Sequence, residues 1–134
     1  MRSEIGVDLV KGKSQMKYSY WRETMIINLK ELAVADEIKF LGGDGHILFN
    51  RFIDEDNKIM QITYPVGCSI GYHQHKDNCE IMYVISGEGE ARTESGTEKL
   101  VPGVVHYCPR GGFHEVKNTG DSDLVVFAVV PKLG

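Results

Sequence analysis

Apolar and polar residues alternate in short runs along most of the chain, and turn-forming residues separate the runs. Alternation with a period of two is typical of strands that bury one face, because successive side chains of a strand point to opposite sides. The pattern predicts strands at His46–Ile53, Lys58–Tyr64, Ser69–His75, Glu80–Ser86, Gly89–Thr93, Glu98–Val101, Val104–Cys108, His114–Asn118 and Leu124–Val130. Strands this short and closely spaced, without intervening helices, predict an all-β sandwich or barrel.

The first forty residues do not continue this pattern. Residues 1–20 are polar and predict an arm, whereas Met25–Leu29 is apolar and predicts a short strand. For Lys30–Glu37 the pattern leaves a helical turn and a loop open. We therefore divide the chain into an N-terminal arm and edge segment, residues 1–40, and a barrel domain, residues 41–134.

The apolar segment Trp21–Leu29 has no evident place in a barrel that is built from later strands. An unpaired strand edge invites pairing with another chain, and two-fold dimers are the commonest closed assembly. We therefore expect this segment to pair with the sheet of a second copy, which makes the protein a homodimer. The alternative is that the segment folds back on its own barrel.

Composition and charge narrow the class of protein. A chain of 134 residues, 42% hydrophobic and 25% charged, has the size and balance of one soluble globular domain. Its apolar runs are shorter than the roughly 18–20 residues that span a bilayer, so we expect no membrane partner. The net charge of −4 disfavours a nucleic-acid partner, since such proteins are more often basic.

Cysteine usage bears on the compartment. Cys68, Cys79 and Cys108 are odd in number and form no CxxC motif. The first ten residues carry charges and a glycine where a signal peptide needs an apolar core. These features predict a cytoplasmic protein whose thiols are reduced and buried.

The residues best suited to binding a metal or taking part in a reaction are histidines and one carboxylate. His73 and His75 share a face of a strand, because residues two apart point to the same side. A short turn then leads to Glu80, and His114 follows a later turn. Three imidazoles and one carboxylate suit a first-row divalent metal with one or two open positions. His46 and His106 fit no ligand pattern, and we interpret them as ordinary polar or half-buried residues.

Glycines, prolines and an asparagine stand at fixed intervals around these residues. The first motif, G-x5-H-x-H-x4-E-x6-G, comprises Gly67, His73, His75, Glu80 and Gly87. The second motif, G-x5-P-x-G-x2-H-x3-N, comprises Gly103, Pro109, Gly111, His114 and Asn118. This pair of motifs resembles the cupin superfamily, and the short stretch between them resembles small microbial cupins. One departure is Val104, where many cupins carry aspartate.

The resemblance implies a cupin-type jelly-roll β-barrel, a double-stranded β-helix, with one divalent metal inside. The implied ligands are His73, His75, Glu80 and His114. Manganese, iron, nickel, zinc and copper all remain open, because one ligand set serves several ions. Glu80 is either a ligand only or also a group that accepts a proton during catalysis.

The side chains around the motifs indicate the character of the pocket. Alternation places Met82 and Val84 inward with the first motif, and Val116 inward with His114. The expected pocket is therefore apolar, and the motifs contain no cluster of lysine or arginine that would cradle a sugar phosphate. Three arginines could bind the carboxylate of a substrate, although arginine side chains are usually exposed and we expect the same here: Arg51, Arg92 and Arg110. Four tyrosines lie in predicted strands. We expect most of them to pack against other side chains and one to face the cavity as an acid or hydrogen-bond donor to substrate: Tyr64, Tyr72, Tyr83 and Tyr107.

Fold alone does not choose the chemistry, because cupins include several classes of enzyme and binding protein. The intact open site favours a metalloenzyme that acts on a small organic substrate. Iron or copper would support a dioxygenase, and manganese or nickel a decarboxylase, lyase or isomerase. The alternative is a non-catalytic cupin that binds or senses a small ligand.

Overall fold

The computed structural model describes residues 7–8, 15–16 and 23–134, and it is built almost entirely of strands. In chain order the strands are Val7–Asp8 (β1), Gln15–Met16 (β2), Ala35–Ile38 (β3), His46–Ile53 (β4), Asn57–Tyr64 (β5), Ser69–Gln74 (β6), Glu80–Ser86 (β7), Gly89–Thr93 (β8), Gly96–Leu100 (β9), Val105–Cys108 (β10), Phe113–Asn118 (β11) and Leu124–Pro131 (β12). Every strand predicted after residue 41 is confirmed, with bounds that shift by one or two residues. No helix in the described part of the chain is long and apolar enough to cross a membrane.

The strands form two sheets. The larger sheet runs β1-β2-β4-β5-β12-β7-β10, with β3 also paired with β4, and the smaller sheet runs β6-β11-β8-β9. The named pairs are antiparallel except β2 with β4, which is parallel. This arrangement confirms the predicted all-β jelly-roll barrel.

The inner faces of both sheets share one hydrophobic core. Along β12 every second residue is buried, as the alternation in the sequence predicts. Met82 and Val84 of β7 are buried as expected, and they join Ala91 and Val116 of the smaller sheet in the same cluster. Burial of a side chain of this size contributes about 1.5–3 kcal/mol each, so the barrel has a substantial core of its own.

The segment before the barrel differs from the prediction. The strand predicted at Met25–Leu29 is wrong: residues 23–28 have no regular structure, and Leu29–Glu31 forms a turn of 3₁₀ helix. The side chain of Asn28 accepts a hydrogen bond from the backbone N–H of Lys30, and such local bonds compete with strand pairing. For Lys30–Glu37 the sequence left a helical turn and a loop open. In the structure this stretch contains the end of the 3₁₀ turn and most of β3, which pairs with β4. Trp21 and most of the predicted arm lie outside the described residues.

A tight crossing places the chain before β4 against β6, the strand that carries His73. Residues 40–43 lie directly on β6, where Gly43 and Gly71 face each other's backbones. A Cβ atom on Gly71 would overlap the carbonyl oxygen of Leu41, and one on Gly43 would overlap that of Ser69. Glycine is therefore required at both positions, and the crossing holds Leu41 over the cavity described below.

Candidate metal centre

The four predicted ligands come together from three strands. His73 lies on β6 and His75 directly follows it, while Glu80 begins β7 and His114 lies on β11. The register pairs His114 with His73, and the turn after His75 returns the chain to Glu80. One ligand atom from each of the four residues lies within 4.8 Å of the other three. His75, Glu80 and His114 are buried, and His73 is half-buried.

The distances between these atoms test whether a metal fits. His75 Nε2 lies 3.2 Å from His73 Nε2 and 3.1 Å from His114 Nε2. Glu80 Oε1 lies 3.1 Å from His114 Nε2 and 3.4 Å from His75 Nε2. Two donor atoms that are each about 2.1 Å from a metal and at right angles are about 3.0 Å apart. The cluster therefore has the spacing of adjacent ligands around one ion.

The hydrogen bonds on the far side of each ring determine which nitrogen faces the centre. His73 Nδ1 lies 2.6 Å from the carbonyl oxygen of Gly71, and His75 Nδ1 lies 2.5 Å from Asn78 Oδ1. Both oxygens only accept, so each Nδ1 carries the hydrogen and each Nε2 presents a lone pair. Lone pairs this close repel one another unless a cation or a proton lies between them, which again fits a metal ion.

The charges of the site also suit a metal. Burial by itself raises the pKa of Glu80, but when a proton in place of a metal occupies Nε2 of His114 and His75, hydrogen bonds from these rings outweigh burial and lower that pKa to about 2. Burial lowers the pKa of His73 despite an opposing hydrogen bond to Gly71. For His75, burial lowers the pKa, but hydrogen bonds to Glu80 and Asn78 raise it on balance. At neutral pH Glu80 is ionised and His73 is neutral, the forms that bind metals.

A cavity of about 270 Å³ opens onto the cluster. Its walls are largely apolar, as predicted, with Met60, Ile62, Ile70 and Val116 among them. Met82 and Val84 lie in the core and do not line the cavity. Two cations from outside the motifs do line it, Arg51 of β4 and Lys58 of β5.

Arg51 departs from the exposure expected of it. Its side chain is 28% exposed, donates to Glu37 Oε2 over 2.9 Å and lies over the ring of Phe49. The cavity is therefore less uniformly apolar than the motifs indicate, since a guanidinium bound once still has free donors. Arg92 and Arg110 are exposed, and neither lines the cavity.

Tyr64 is the tyrosine that faces the cavity. It is fully buried, and its hydroxyl is the one buried side-chain nitrogen or oxygen without a hydrogen-bond partner in the described residues. Burial, assisted by the charge of Glu80, raises its pKa well above the usual value, so the hydroxyl keeps its proton. Asn118 Nδ2 donates to the carbonyl oxygen of Tyr64 over 2.7 Å and fixes its backbone.

His106 is the residue that sequence reasoning missed. It is 3% exposed and lies between His114 and Glu98, with hydrogen bonds of 2.9 Å and 2.8 Å. The interpretation of His106 as an ordinary residue is therefore wrong. The alternation along β10, with Val105 and Tyr107 outside and His106 inside, was a signal that was available. His46 agrees with its interpretation, since it is half-buried and bonds to Asp36.

Comparison with known proteins agrees with the architecture. A family model described as a cupin domain matches residues 60–130. An "Oxalate-binding protein" of Thermotoga maritima is 27% identical over 112 residues, 79% of this chain and 93% of that protein. The crystal structure of a predicted oxalate decarboxylase from Thermotoga maritima is similar with a TM-score of 0.76 and 25% identity, over 81% of this chain and 100% of that chain. A glucose-6-phosphate isomerase of Thermococcus onnurineus is 38% identical over 65 residues, 45% of this chain but 34% of that protein.

Proposed function

The chain belongs to the cupin family, and from that premise we propose that it is a metal-dependent enzyme acting on a small organic acid. The observation that carries the proposal is the convergence of four ligand atoms on a cavity that Arg51, Lys58 and Tyr64 also line. His73, His75, Glu80 and His114 hold one divalent first-row ion. The name of the Thermotoga maritima relative supports a carboxylate as the ligand.

The residues around the ion have separate roles in this proposal. When bound, the metal supplies a Lewis acid that polarises a substrate oxygen at an open position. Arg51 and Lys58 balance the charge of a carboxylate, and the Tyr64 hydroxyl donates a hydrogen bond to it. The apolar walls exclude water, which strengthens each of these interactions. Glu80 is ionised, which is the form that binds a metal, and it acts as a ligand.

Binding and turnover are tested separately. Zinc-loaded protein is titrated calorimetrically with oxalate, and with ethylene glycol as a neutral molecule of similar size. We expect oxalate to bind at least about tenfold more tightly, which corresponds to about 1.4 kcal/mol, and chelation to abolish the binding. Equal affinity for both molecules would contradict a carboxylate site.

The alternative is a non-catalytic cupin that binds or senses a small acid. The cavity and its cations favour binding of either kind, so the distinction needs product analysis. Protein reconstituted with manganese, iron, nickel or copper is incubated with oxalate and other small acids. Conversion of the acid with consumption of oxygen would indicate a dioxygenase. Conversion without consumption of oxygen would indicate a decarboxylase, lyase or isomerase. Tight binding without loss of any acid would favour the binding protein.

Replacement of Tyr64 by phenylalanine is expected to lower oxalate affinity about 10–100-fold. The change removes one buried hydrogen bond to a charged group, which contributes about 1.5–3 kcal/mol, and leaves the ring in place. Metal content should stay unchanged, because the Tyr64 hydroxyl is not a ligand. Tyr107→Phe on the outer face of the sheet is the matched control. Unchanged affinity of Tyr64→Phe would exclude this role.

We also propose that the protein is a homodimer. The outer face of β7 and β10 exposes five large apolar side chains by 43–59%: Ile81, Tyr83, Ile85, Val105 and Tyr107. The register places Val105 beside Tyr83 and Tyr107 beside Ile81, so the side chains form one continuous patch. Ile26, in the segment first expected to pair with a second copy, is 96% exposed. Patches of this kind mark interaction sites.

Light scattering at micromolar concentration is expected to give twice the mass of one chain. Tyr83→Glu should lower that mass, because it places a charge in the centre of the patch. Thr97→Glu, at an exposed position of the smaller sheet, serves as the control. A monomeric wild-type protein would contradict the proposal.

The cytoplasmic location stays a prediction. Cys68, Cys79 and Cys108 are free and buried, which supports the expectation of reduced thiols. Burial, with smaller contributions from Glu80 and Cys79, raises the pKa of Cys108 to about 11. Its thiol is therefore protonated and of low reactivity.

A further inference from the structure

A chain of three side chains leads from the metal centre to the surface. His114 Nδ1 lies 2.9 Å from His106 Nε2, and His106 Nδ1 lies 2.8 Å from Glu98 Oε1. The two imidazoles meet edge to edge and nearly in one plane, with centroids 5.1 Å apart and planes 17° from parallel. The side chain of His106 is 2% exposed, whereas that of Glu98 is 60% exposed. The chain thus joins a buried ligand to a carboxylate in water.

The exposed carboxylate of Glu98 determines where the hydrogens lie along this hydrogen-bonded series of side chains. An ionised carboxylate only accepts hydrogen bonds, so His106 Nδ1 carries the hydrogen and His106 Nε2 presents a lone pair. That lone pair accepts the hydrogen on His114 Nδ1. His114 Nε2 is then left without a hydrogen and faces the other ligand atoms.

The three ligand histidines differ in what holds them. The tautomers of His73 and His75 are set by oxygens of residues nearby in the sequence, the carbonyl oxygen of Gly71 and Asn78 Oδ1. The partner of His114 is another imidazole, whose nitrogens change roles with the tautomer. Glu98 at the surface favours a hydrogen on His114 Nδ1, whereas Glu80 in the cluster favours one on His114 Nε2, because each carboxylate only accepts. His114 is therefore the one ligand whose tautomer depends on a residue at the surface.

We propose that His106 and Glu98 are positioning residues that fix the tautomer and orientation of His114 and so raise the affinity of the site for metal. This inference rests on the proposed metal centre. A partner on the second nitrogen of a metal-binding imidazole orients the ring and increases its basicity. His106 and Glu98 line a separate cavity of about 210 Å³, so changes at either residue leave the walls of the ligand cavity intact.

The test measures zinc affinity by competition with a chromogenic chelator, without any organic ligand. His106→Phe keeps an aromatic ring but removes the acceptor, and we expect it to lower the affinity about 10–100-fold. Glu98→Ala should lower it less, by about threefold to tenfold, and should have no further effect in the His106→Phe background. Glu88→Gln is the control. It removes the charge of an exposed carboxylate that pairs with Lys99, the neighbour of Glu98 in β9. Affinities of His106→Phe and Glu98→Ala within twofold of wild type would overturn the proposal.

A spectroscopic readout separates positioning from mere packing. Nitrogen-15 spectra of the metal-free protein near pH 8 report which nitrogen of His114 carries the hydrogen. We expect a larger Nδ1–H population in wild type than in Glu98→Ala, where Glu80 alone would draw the hydrogen to Nε2; the surface change should not affect folding. An unchanged tautomer population in that variant would overturn the proposal, even where zinc affinity falls. Because this measurement uses neither metal nor substrate, its outcome is independent of the proposed function.

Discussion

Replacing His114 with alanine is expected to remove the bound metal. His114 is 1% exposed, and its Nε2 lies 3.1 Å from both His75 Nε2 and Glu80 Oε1. Losing a ligand itself should exceed the 10–100-fold effect typical of residues that only support a ligand, so we expect affinity to fall more than about a hundredfold. Elemental analysis of protein purified without chelators, together with competition for zinc, measures the change.

The control for this experiment is His46→Ala. His46 lies on β4 and bonds to Asp36, and it does not belong to the cluster. Its removal should leave metal content unchanged, because it alters the number of histidines without altering the site. Full metal content in His114→Ala, or no metal in freshly purified wild type, would contradict a centre held by these four residues.

Removal of the metal is expected to lower the melting temperature by about 10 °C without unfolding the protein at room temperature. A metal present at a hundred times its dissociation constant stabilises the folded state by about 2.7 kcal/mol. For a domain of this size each kcal/mol corresponds to roughly 3–5 °C. The fold should persist, because the core shared by both sheets lies among apolar residues that do not include the ligands.

Calorimetry and far-ultraviolet dichroism before and after chelation measure this effect. The spectrum should stay that of a β protein, and the melting temperature should recover when zinc is restored. The same chelation of His114→Ala is the control, where the melting temperature should not change further. A chain that unfolds completely on chelation would show that the metal, and not the core, holds the barrel together.

Local pattern in the sequence determined most of the barrel. The alternation of buried and exposed residues depends only on the strand period, so β4 to β12 were predictable from the apolar runs and the turns between them. The cluster was predictable for a similar reason. His73 and His75 share a face by their spacing, and a short turn limits where Glu80 can lie. His114 was assigned through the second motif, whose spacing resembles that of cupins.

Tertiary structure decided everything that depended on contacts between distant strands. Arg51 and Lys58 lie at the cavity because the larger sheet, with β4 and β5, faces the smaller sheet, with β6 and β11, and no local pattern around an arginine or a lysine records that contact. The unpartnered hydroxyl of Tyr64 became visible only once all surrounding donors and acceptors were in place. The segment at 25–29 has the composition of a strand, but pairing requires a free edge, and β3 occupies the edge of β4.

His106 shows the same division within one residue. The alternation of β10 already indicated that it points inward. Its partners, His114 and Glu98, come from two other strands, β11 and β9. A strand period determines which face a side chain takes, but the partner that it meets there depends on how the sheets close around the core. That closure is set by packing across the whole barrel, which short-range sequence patterns do not encode.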